Sequence, residues 1–173
     1  MGNRAFFLEQ QIKKNNYTIG VEIGVQAGPT FKHLVESCPN LTLHGVDIWA
    51  NKNVRWNGTT NQQLKDEPYI NENYTQLLDW IENHGASNRT KLIRSFSWDA
   101  AELYHDNTLD FIFIDASHEY DEFVKDCNVW FSKVRPGGMV SGHDVHMVGV
   151  YNGLADLNVS YQRADDNVWW FIK

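Results

Sequence analysis

Two segments decide the fold of this chain: LDFIFIDASH at residues 109–118 and RPGGMVSGHD at residues 135–144. Each contains an apolar run of strand length that stops at an acid and a histidine. In an open α/β sheet, ligands bind in the crevice at the carboxyl ends of the strands. If the two strands are parallel neighbours, they lie about 4.8 Å apart, and the acids and histidines at their ends converge on one small volume. The two segments therefore predict a site for chemistry at this edge of the sheet.

The composition is that of a single folded domain. The 173 residues suffice for a sizeable core, and 42% of them are hydrophobic. A net charge of -7 at pH 7 argues against nucleic acid and anionic membranes as partners, because basic surfaces bind both. The apolar runs are shorter than a membrane span, and the N-terminus has no secretory leader pattern. We therefore expect one domain over residues 1–173, located in the cytoplasm, with Cys38 and Cys127 as reduced thiols.

Strand and helix patterns alternate along the chain, which favours a parallel sheet. Seven strands are predicted, over residues 19–24, 41–48, 90–94, 109–115, 139–142, 159–163 and 168–172. Five helices are predicted, over residues 30–37, 70–84, 98–104, 119–133 and 150–157, with Thr30 as a candidate N-cap. Because only a short polar turn separates the last two strands, they are predicted to form a hairpin. The expected fold is α/β: a Rossmann-like, doubly wound, mostly parallel seven-stranded sheet with a C-terminal antiparallel hairpin.

The segment over residues 49–69 is polar and irregular. A loop of this length in a compact domain is usually functional or disordered, so it is predicted to be a lid or substrate loop. Trp49 and Trp56 fall in or beside it, and an aromatic ring near a site can stack on a sugar or ring substrate. The alternative, that Trp49 simply caps the sheet, stays open.

The first strand–helix turn carries the motif EIGVQAG at residues 22–28. Glycines at such a turn let the backbone approach a ligand closely. The motif differs from the dinucleotide fingerprint G-x-G-x-x-G, so a pyrophosphate cradle is disfavoured. Asp47 ends the next strand, where an acid typically accepts hydrogen bonds from ribose hydroxyls. The alternatives are a tight turn that binds nothing and a solvated acid at a strand end.

Four motifs, taken in their order along the chain, resemble class I S-adenosylmethionine-dependent methyltransferases: VEIGVQAG at 21–28, GVD at 45–47, FIDASHEY at 113–120, and RPGG with GHD within 135–144. More narrowly, they resemble the compact branch related to the macrolide sugar O-methyltransferases. The likeness runs from about Ile19 to the end of the chain. It implies that S-adenosylmethionine donates a methyl group to a hydroxyl of a small acceptor such as a sugar.

The resemblance also implies which residues bind the cofactor. By position they are Glu22, Gly24, Gly28, Asp47, Ser95, Phe96, Ser97 and Asp115. Glu22 and the two glycines would line the methionine part, Asp47 would hold the ribose, and the turn at 95–97 would border the adenine. The family often has an acid at or near Phe96 that contacts adenine. Here that contact would fall to backbone groups, or to the packing of Phe96 or Trp98.

By the same resemblance, Asp115, His143 and Asp144 would match the divalent-metal site of the sugar O-methyltransferases. Two carboxylates suit a hard cation such as magnesium, which can lower the pKa of an acceptor hydroxyl. The related metal enzymes often have an acid where this chain has His143. Because imidazole suits manganese, iron or zinc better than magnesium, metal-dependent and metal-independent catalysis both stay open.

His118 lies three residues beyond Asp115 and is the predicted general base, with Asp115 beside it in the catalytic group. A histidine pKa near 6.5 suits proton transfer at neutral pH, and an alcohol needs a base to become a good nucleophile. The alternatives for His118 are a helix cap and a cofactor contact. The acids of the run 121–126, which include Glu122 and Asp126, are interpreted as a solvated helix face without a function.

Two other functions compete with this hypothesis. The first is a degenerate relative that binds S-adenosylmethionine without turnover, because only residues 1–18 precede the first strand and the family often builds its substrate pocket from an N-terminal extension. The second is an NAD-linked or nucleotide-sugar enzyme, which the missing G-x-G-x-x-G disfavours. The sequence leaves the acceptor unnamed and the oligomeric state open, with a homo-oligomer as one alternative.

Overall fold

A computed structural model describes residues 3–50 and 72–173 of the chain. Its strands are β1 (Ile19–Ile23), β2 (Thr42–Asp47), β3 (Thr90–Arg94), β4 (Leu109–Ile114), β5 (Val134–Gly142), β6 (Gln162–Ala164) and β7 (Val168–Ile172). Its α-helices are α1 (Asn3–Asn15), α2 (Pro29–Ser37), α3 (Glu72–Asn83), α4 (Ser97–Ala100), α5 (Tyr120–Trp130) and α6 (Val148–Asp156). Residues 51–69 of the predicted lid loop, with Trp56, lie outside the described residues.

The seven strands form one sheet in the order β3-β2-β1-β4-β5-β7-β6. The first five strands pair in parallel, whereas β7 runs antiparallel to both β5 and β6. The predicted fold class is therefore confirmed, including the C-terminal hairpin. The chain winds outward from β1 through β2 to β3 and then returns to place β4 on the other side of β1. Ligand sites of open α/β sheets lie at such a switch point.

Helices cover both faces of the sheet, so the central strands are largely apolar; Asp110, the buried acid of β4, accepts hydrogen bonds from the amides of Thr18 and Ile19 and from Arg135. All six residues of β4 are buried. Phe111 and Phe113 belong to the core under α1, α2 and α3, whereas Ile112 and Ile114 belong to the core under α5 and α6. Successive side chains of a strand point to opposite faces, and a strand buried on both sides therefore reads as a continuous apolar run. This is why the segment at 109–114 identified the sheet so clearly.

The helix α1 precedes the first element that the sequence pattern predicted. It buries Ala5, Leu8 and Ile12 against the rest of the protein. These positions are spaced three and four residues apart, which is the spacing of one helix face. The signal was thus present in the sequence but short and weakly apolar. Its consequence is functional, because α1 brings Arg4 to the carboxyl edge of the sheet.

Several predicted boundaries shift in the structure. Thr30 is not the N-cap of α2: Gly28 takes that position in a left-handed conformation, and Pro29 begins the helix, where its fixed φ and missing N–H are tolerated. The helix predicted over 98–104 is α4 followed by a 3-10 turn, and the one over 119–133 likewise ends in a 3-10 turn. The strand predicted over 139–142 begins earlier, at Val134.

Both cysteines are buried free thiols, as expected. Trp49 is 2% exposed, and its indole Nε1 donates a hydrogen bond of 2.9 Å to the carbonyl of Gln26. This tryptophan is thus packed into the core, and it also lines the cavity described below. Over the described ranges, no helix has the length and apolar character needed to cross a membrane.

Candidate active site

A cavity of about 560 Å³ opens at the carboxyl edge of the sheet, above the ends of β1 to β4. Small-molecule sites typically have volumes of about 300–1,000 Å³. The cavity is placed by the parallel register, in which Ile23 pairs with both Val46 and Ile114 and so aligns three strand ends. Its lining includes the following predicted site residues: Gly24, Asp47, Ser95, Ser97, Asp115 and His118. The convergence predicted from the two apolar segments is therefore present.

Asp47 joins the two turns that form one wall of this cavity. Its Oδ2 accepts a hydrogen bond of 2.8 Å from the amide of Gln26, and its Oδ1 accepts one of 2.8 Å from the amide of Trp49. Both of these residues have positive φ values, 51° and 39°, which are uncommon for residues other than glycine. Strained backbone of this kind concentrates at functional sites, where the surroundings hold it in place. Asp47 supplies that restraint here.

Gly24 ends β1 where the chain passes close to β4. Its φ is +89°, and a Cβ at this position would collide with the carbonyl of Asp115. Its amide donates a hydrogen bond of 2.8 Å to the carbonyl of Val46. Because the backbones at Gly24, Val46 and Asp115 lie so close together, this position requires a glycine. The glycine adds no side chain to the lining of the cavity.

Three of the predicted cofactor residues lie outside the cavity lining that the structure describes. Glu22 is 2% exposed and its Oε2 has no hydrogen-bond partner among the described residues; burial, reinforced by Asp115, raises its pKa well above the usual value. Gly28 faces Leu77. Phe96 is buried and stacks on Trp98, with ring centroids 5.1 Å apart, so it is Trp98 that lines the cavity.

An acid–histidine cluster lies at the other end of the cavity, which Asp115 and His118 line and His143 and Asp144 do not. His118 Nε2 lies 2.7 Å from Asp144 Oδ2, and His143 Nδ1 lies 3.0 Å from the same oxygen. His143 Nδ1 also lies 3.6 Å from Asp115 Oδ1. These nitrogens are close to the carboxylates, yet neither has hydrogen-bond geometry to any described residue. Two unpartnered nitrogens thus converge on one carboxylate oxygen.

Exposure separates the two histidines. The side chain of His118 is 39% exposed and lines the cavity, whereas that of His143 is 9% exposed and lies behind it. Among the described residues, Asp115, His118 and Asp144 form a group in which one potential metal-ligand atom from each residue lies within 4.8 Å of the others. Asp144 itself has a φ of 57°, so strained backbone also occurs at this end of the site.

Asp115 is the most perturbed member of the cluster. Burial raises its pKa to about 6, Asp144 adds to the rise, and the positive charges of Arg4 and the histidines oppose it. A perturbed carboxyl in a cleft is a frequent property of functional sites. Asp115 therefore combines its predicted position at a strand end with a perturbed electrostatic environment.

Arg4 of α1 enters this cluster and was not predicted as a site residue. Its Nη2 lies 3.6 Å from Asp115 Oδ2, and its Nη1 lies 3.3 Å from His143 Nε2. Its Nε donates to Thr30 Oγ1 at 3.2 Å, and its backbone amide contacts Asp166 Oδ2 at 3.3 Å. Only the helical spacing of α1 could have pointed to this position, and it does not show where the helix packs.

The interpretation of the 121–126 acids as a solvated helix face is wrong for two of them. Glu122 and Asp126 both line the cavity, and Asp126 is 2% exposed. They lie four residues apart on α5, on the same side as the apolar residues that pack on the sheet. Their charge suggested solvent, but the helix is rotated so that this stripe meets the cavity.

Burial of Asp126 gives a testable pH dependence of stability. Burial raises its pKa to about 7, with the Ser97 hydroxyl opposing the rise. Because the folded state then holds the proton more tightly than the unfolded chain, the stabilisation is present at low pH and is lost as the pH rises through about 7. We expect the melting temperature of Asp126→Asn, relative to that of the parent protein, to be higher at pH 8 than at pH 5, as measured by melting curves. Asp121→Asn, on the exposed face, serves as control, and an equal gain at both pH values would contradict the assignment.

Comparisons with known proteins agree with this geometry. The model of a protein family described as a methyltransferase domain matches residues 21–145. The structure of the O-methyltransferase NovP superposes with a TM-score of 0.73 at 13% identity, covering 99% of this chain and 79% of that one. An O-methyltransferase from Bacillus cereus in complex with S-adenosylhomocysteine gives 0.67 at 13% identity, covering 99% and 81%.

A third structure has the same fold. The S-adenosylhomocysteine-bound methyltransferase PaMTH1 of Podospora anserina gives a TM-score of 0.71 at 12% identity, covering 96% of this chain and 76% of that one. At such identities the structural matches establish the fold. No protein with a curated description matches the sequence.

Proposed function

Because this chain belongs to the methyltransferase domain family, whose model matches residues 21–145, we propose that it transfers a methyl group from S-adenosylmethionine to a hydroxyl of a small acceptor. The observation that carries the proposal is that one cavity is lined both by Asp47 and Gly24 at one end and by His118 and Asp115 at the other. The first pair suits a nucleoside cofactor and the second suits deprotonation of an acceptor. We also propose that the acceptor is a sugar or a similar hydroxylated small molecule.

The residues present fit the cofactor. Gly24 leaves room where the chains of β1 and β4 meet, and a glycine there permits close approach of a ligand to the backbone. Asp47 is held by two backbone amides, and a carboxylate has about four lone-pair sites, so it can still accept bonds from ribose hydroxyls. When bound, S-adenosylmethionine supplies an electrophilic methyl group on a sulfonium.

The reaction asks the protein for positioning and for one proton acceptor. As the acceptor oxygen forms its bond to the methyl carbon, the bond from that carbon to sulfur breaks and its electron pair stays on sulfur. The hydroxyl proton passes to the imidazole of His118, whose side chain lines the cavity and is 39% exposed. Asp144 Oδ2, 2.7 Å away, stabilises the imidazolium that forms. Positioning of this kind can supply a large part of the rate enhancement.

The second histidine and the carboxylates fit a divalent cation. His143 Nδ1 is buried and unpartnered among the described residues, and it faces Asp115 and Asp144 at 3.6 and 3.0 Å. We propose that the two carboxylates would hold the ion together with one histidine: His118, which completes the group whose ligand atoms lie within 4.8 Å of one another, or His143, which the resemblance implies. A mixed nitrogen and oxygen set suits manganese better than magnesium. A cation held there would lower the pKa of the acceptor hydroxyl.

Removal of metal is therefore expected to reduce turnover by about 100-fold while cofactor binding persists. The measurement is methyl transfer after dialysis against a chelator, followed by addition of Mn²⁺ or Mg²⁺, with metal content determined in parallel. We expect Mn²⁺ to restore more activity than Mg²⁺. Full turnover by metal-free protein would instead assign Asp115 and His143 to the ion pair network with Arg4.

A binding module without turnover is the second candidate, and one observation favours it. Arg4 places a guanidinium 3.6 Å from Asp115 and 3.3 Å from His143, so a positive charge already faces two of the proposed metal ligands. Turnover with any hydroxylated acceptor would exclude this candidate.

The proposed function is tested directly by isothermal titration of the folded protein with S-adenosylmethionine and S-adenosylhomocysteine. Saturable binding of both is expected, followed by methyl transfer in a screen of sugars and other hydroxylated metabolites with and without Mn²⁺. A folded protein that binds neither ligand would refute the proposal, and binding without any turnover would favour the module.

A further inference from the structure

Two residues of helix α5 that line the cavity carry carboxyl groups, and neither belongs to the acid–histidine cluster. Glu122 and Asp126 are four residues apart and so lie on one face of the helix, and both line the cavity. Asp126 is 2% exposed. Its Oδ1, like Oε2 of Glu122, is buried without a hydrogen-bond partner among the described residues. Buried polar atoms are nearly always paired, so these two oxygens call for a donor.

Neighbouring groups supply hydrogen-bond donors to only some of the carboxyl oxygens of Glu122 and Asp126. The hydroxyl of Ser97 accepts a hydrogen bond of 2.7 Å from the indole Nε1 of Trp130, which leaves its own proton for Asp126, on which it acts. The ammonium of Lys125 lies over the ring of Trp98, 3.4 Å from its centroid. The two unpartnered oxygens therefore belong to residues that line the cavity, and both are buried.

Above pH 7, where Asp126 is ionised, the two carboxylates only accept hydrogen bonds, so their ligand must donate one. In an adenine ring, the exocyclic amine is the only donor, because the ring nitrogens accept. The carboxylate of Asp47 lies at the end of β2, where ribose hydroxyls bind in such folds. By the resemblance, the β1 turn with Gly24 would hold the methionine part of the cofactor. The cavity region beside Ser97, Trp98 and the two α5 acids is what remains for the base.

Building on the proposed function, we propose that Glu122 and Asp126 recognise the exocyclic amine of adenine and thereby select an adenosyl cofactor. The acid that related enzymes often carry near the end of β3 is replaced here by Phe96, which is buried and stacked on Trp98. The α5 carboxyls line the same cavity as Ser97, whose hydroxyl acts on Asp126. In this chain the carboxyls that recognise adenine would therefore lie on a helix face, whereas in the related enzymes the acid lies near a strand end.

The test compares binding of S-adenosylhomocysteine with that of its analogue in which hydrogen replaces the exocyclic amine. We expect the parent protein to prefer the amine-bearing ligand by about 10- to 100-fold, the effect of one hydrogen bond to a charged group. Asp126→Ala should reduce that preference to about threefold or less, because it removes the acceptor. Glu122→Ala, at a less buried position, is a second variant in case the first folds poorly.

Asp121→Ala is the matched control, since Asp121 lies on the exposed face of the same helix and should retain the full preference. Titration calorimetry gives both dissociation constants, and melting curves verify that each variant is folded. An equal affinity of the parent protein for the two ligands would overturn the inference, as would an unchanged preference in both α5 variants. Failure of the parent protein to bind either ligand would instead refute the proposed function itself.

Discussion

Replacing His118 by alanine is expected to lower kcat by about 100- to 10,000-fold, the range typical for loss of a general base. Cofactor affinity should change little, because the imidazole lies at the acceptor end of the cavity beside Asp144. The expected split is therefore a loss in turnover with an unchanged dissociation constant for S-adenosylhomocysteine. Steady-state methyl transfer and titration calorimetry measure the two quantities.

His146→Ala is the matched control for this variant. His146 Nδ1 lies 3.7 Å from Asp144 Oδ1, but its side chain is 53% exposed, and it is absent from the lining that the structure describes. It should retain normal turnover. Added imidazole should partly restore the His118→Ala variant. Retention of normal kcat by His118→Ala would remove His118 from the chemistry and leave its contact with Asp144 as structural.

Replacing Asp47 by alanine is expected to weaken binding of S-adenosylhomocysteine by about 100-fold or more, because hydrogen bonds to a charged acceptor contribute about 1.5–3 kcal/mol each. The variant loses the acceptor for the ribose and also releases the amides of Gln26 and Trp49. Both effects act on the same wall of the cavity. Titration calorimetry with the folded variant measures the change.

The control for Asp47 is Asp79→Ala, an exposed acid on α3, which should bind the ligand normally. The Asp47→Asn variant loses the charge and keeps one carbonyl acceptor, so it can retain only one of the two backbone hydrogen bonds. We expect it to fall between the parent protein and Asp47→Ala. An unchanged dissociation constant in Asp47→Ala would show that the ribose is held elsewhere.

The strands were the most predictable part of the fold. The apolar run at 109–114 is buried on both faces, and the strand at 90–94 has the predicted bounds. Local pattern and tertiary packing agree there, because a strand between two helical layers is apolar at nearly every position. Helix ends were less predictable. Gly28, rather than Thr30, caps α2, since the turn that contacts the site and the proline that follows decide where that helix begins.

The candidate site was predictable to the extent that it lies at strand ends. Asp47, Asp115 and His118 come directly after apolar runs, and parallel register brings such positions together. Arg4 and Asp126 could not be found in this way, because both come from helices. The position of a helical side chain depends on how its helix is rotated and docked, and a charged residue on a helix gives no local sign that it faces a cavity.

The sequence by itself determined the α/β sheet, the order of its strands' motifs and the acids and histidines that end them. All of these follow from the periodicity of buried strands and from short-range turn chemistry. Only the tertiary structure decided which side chains share the cavity: that His118 lies at its surface while His143 lies behind, that Arg4 reaches Asp115, and that α5 turns two carboxyls inward. The physical reason is that these contacts join residues far apart in sequence, and their geometry is set by the packing of whole helices against the sheet.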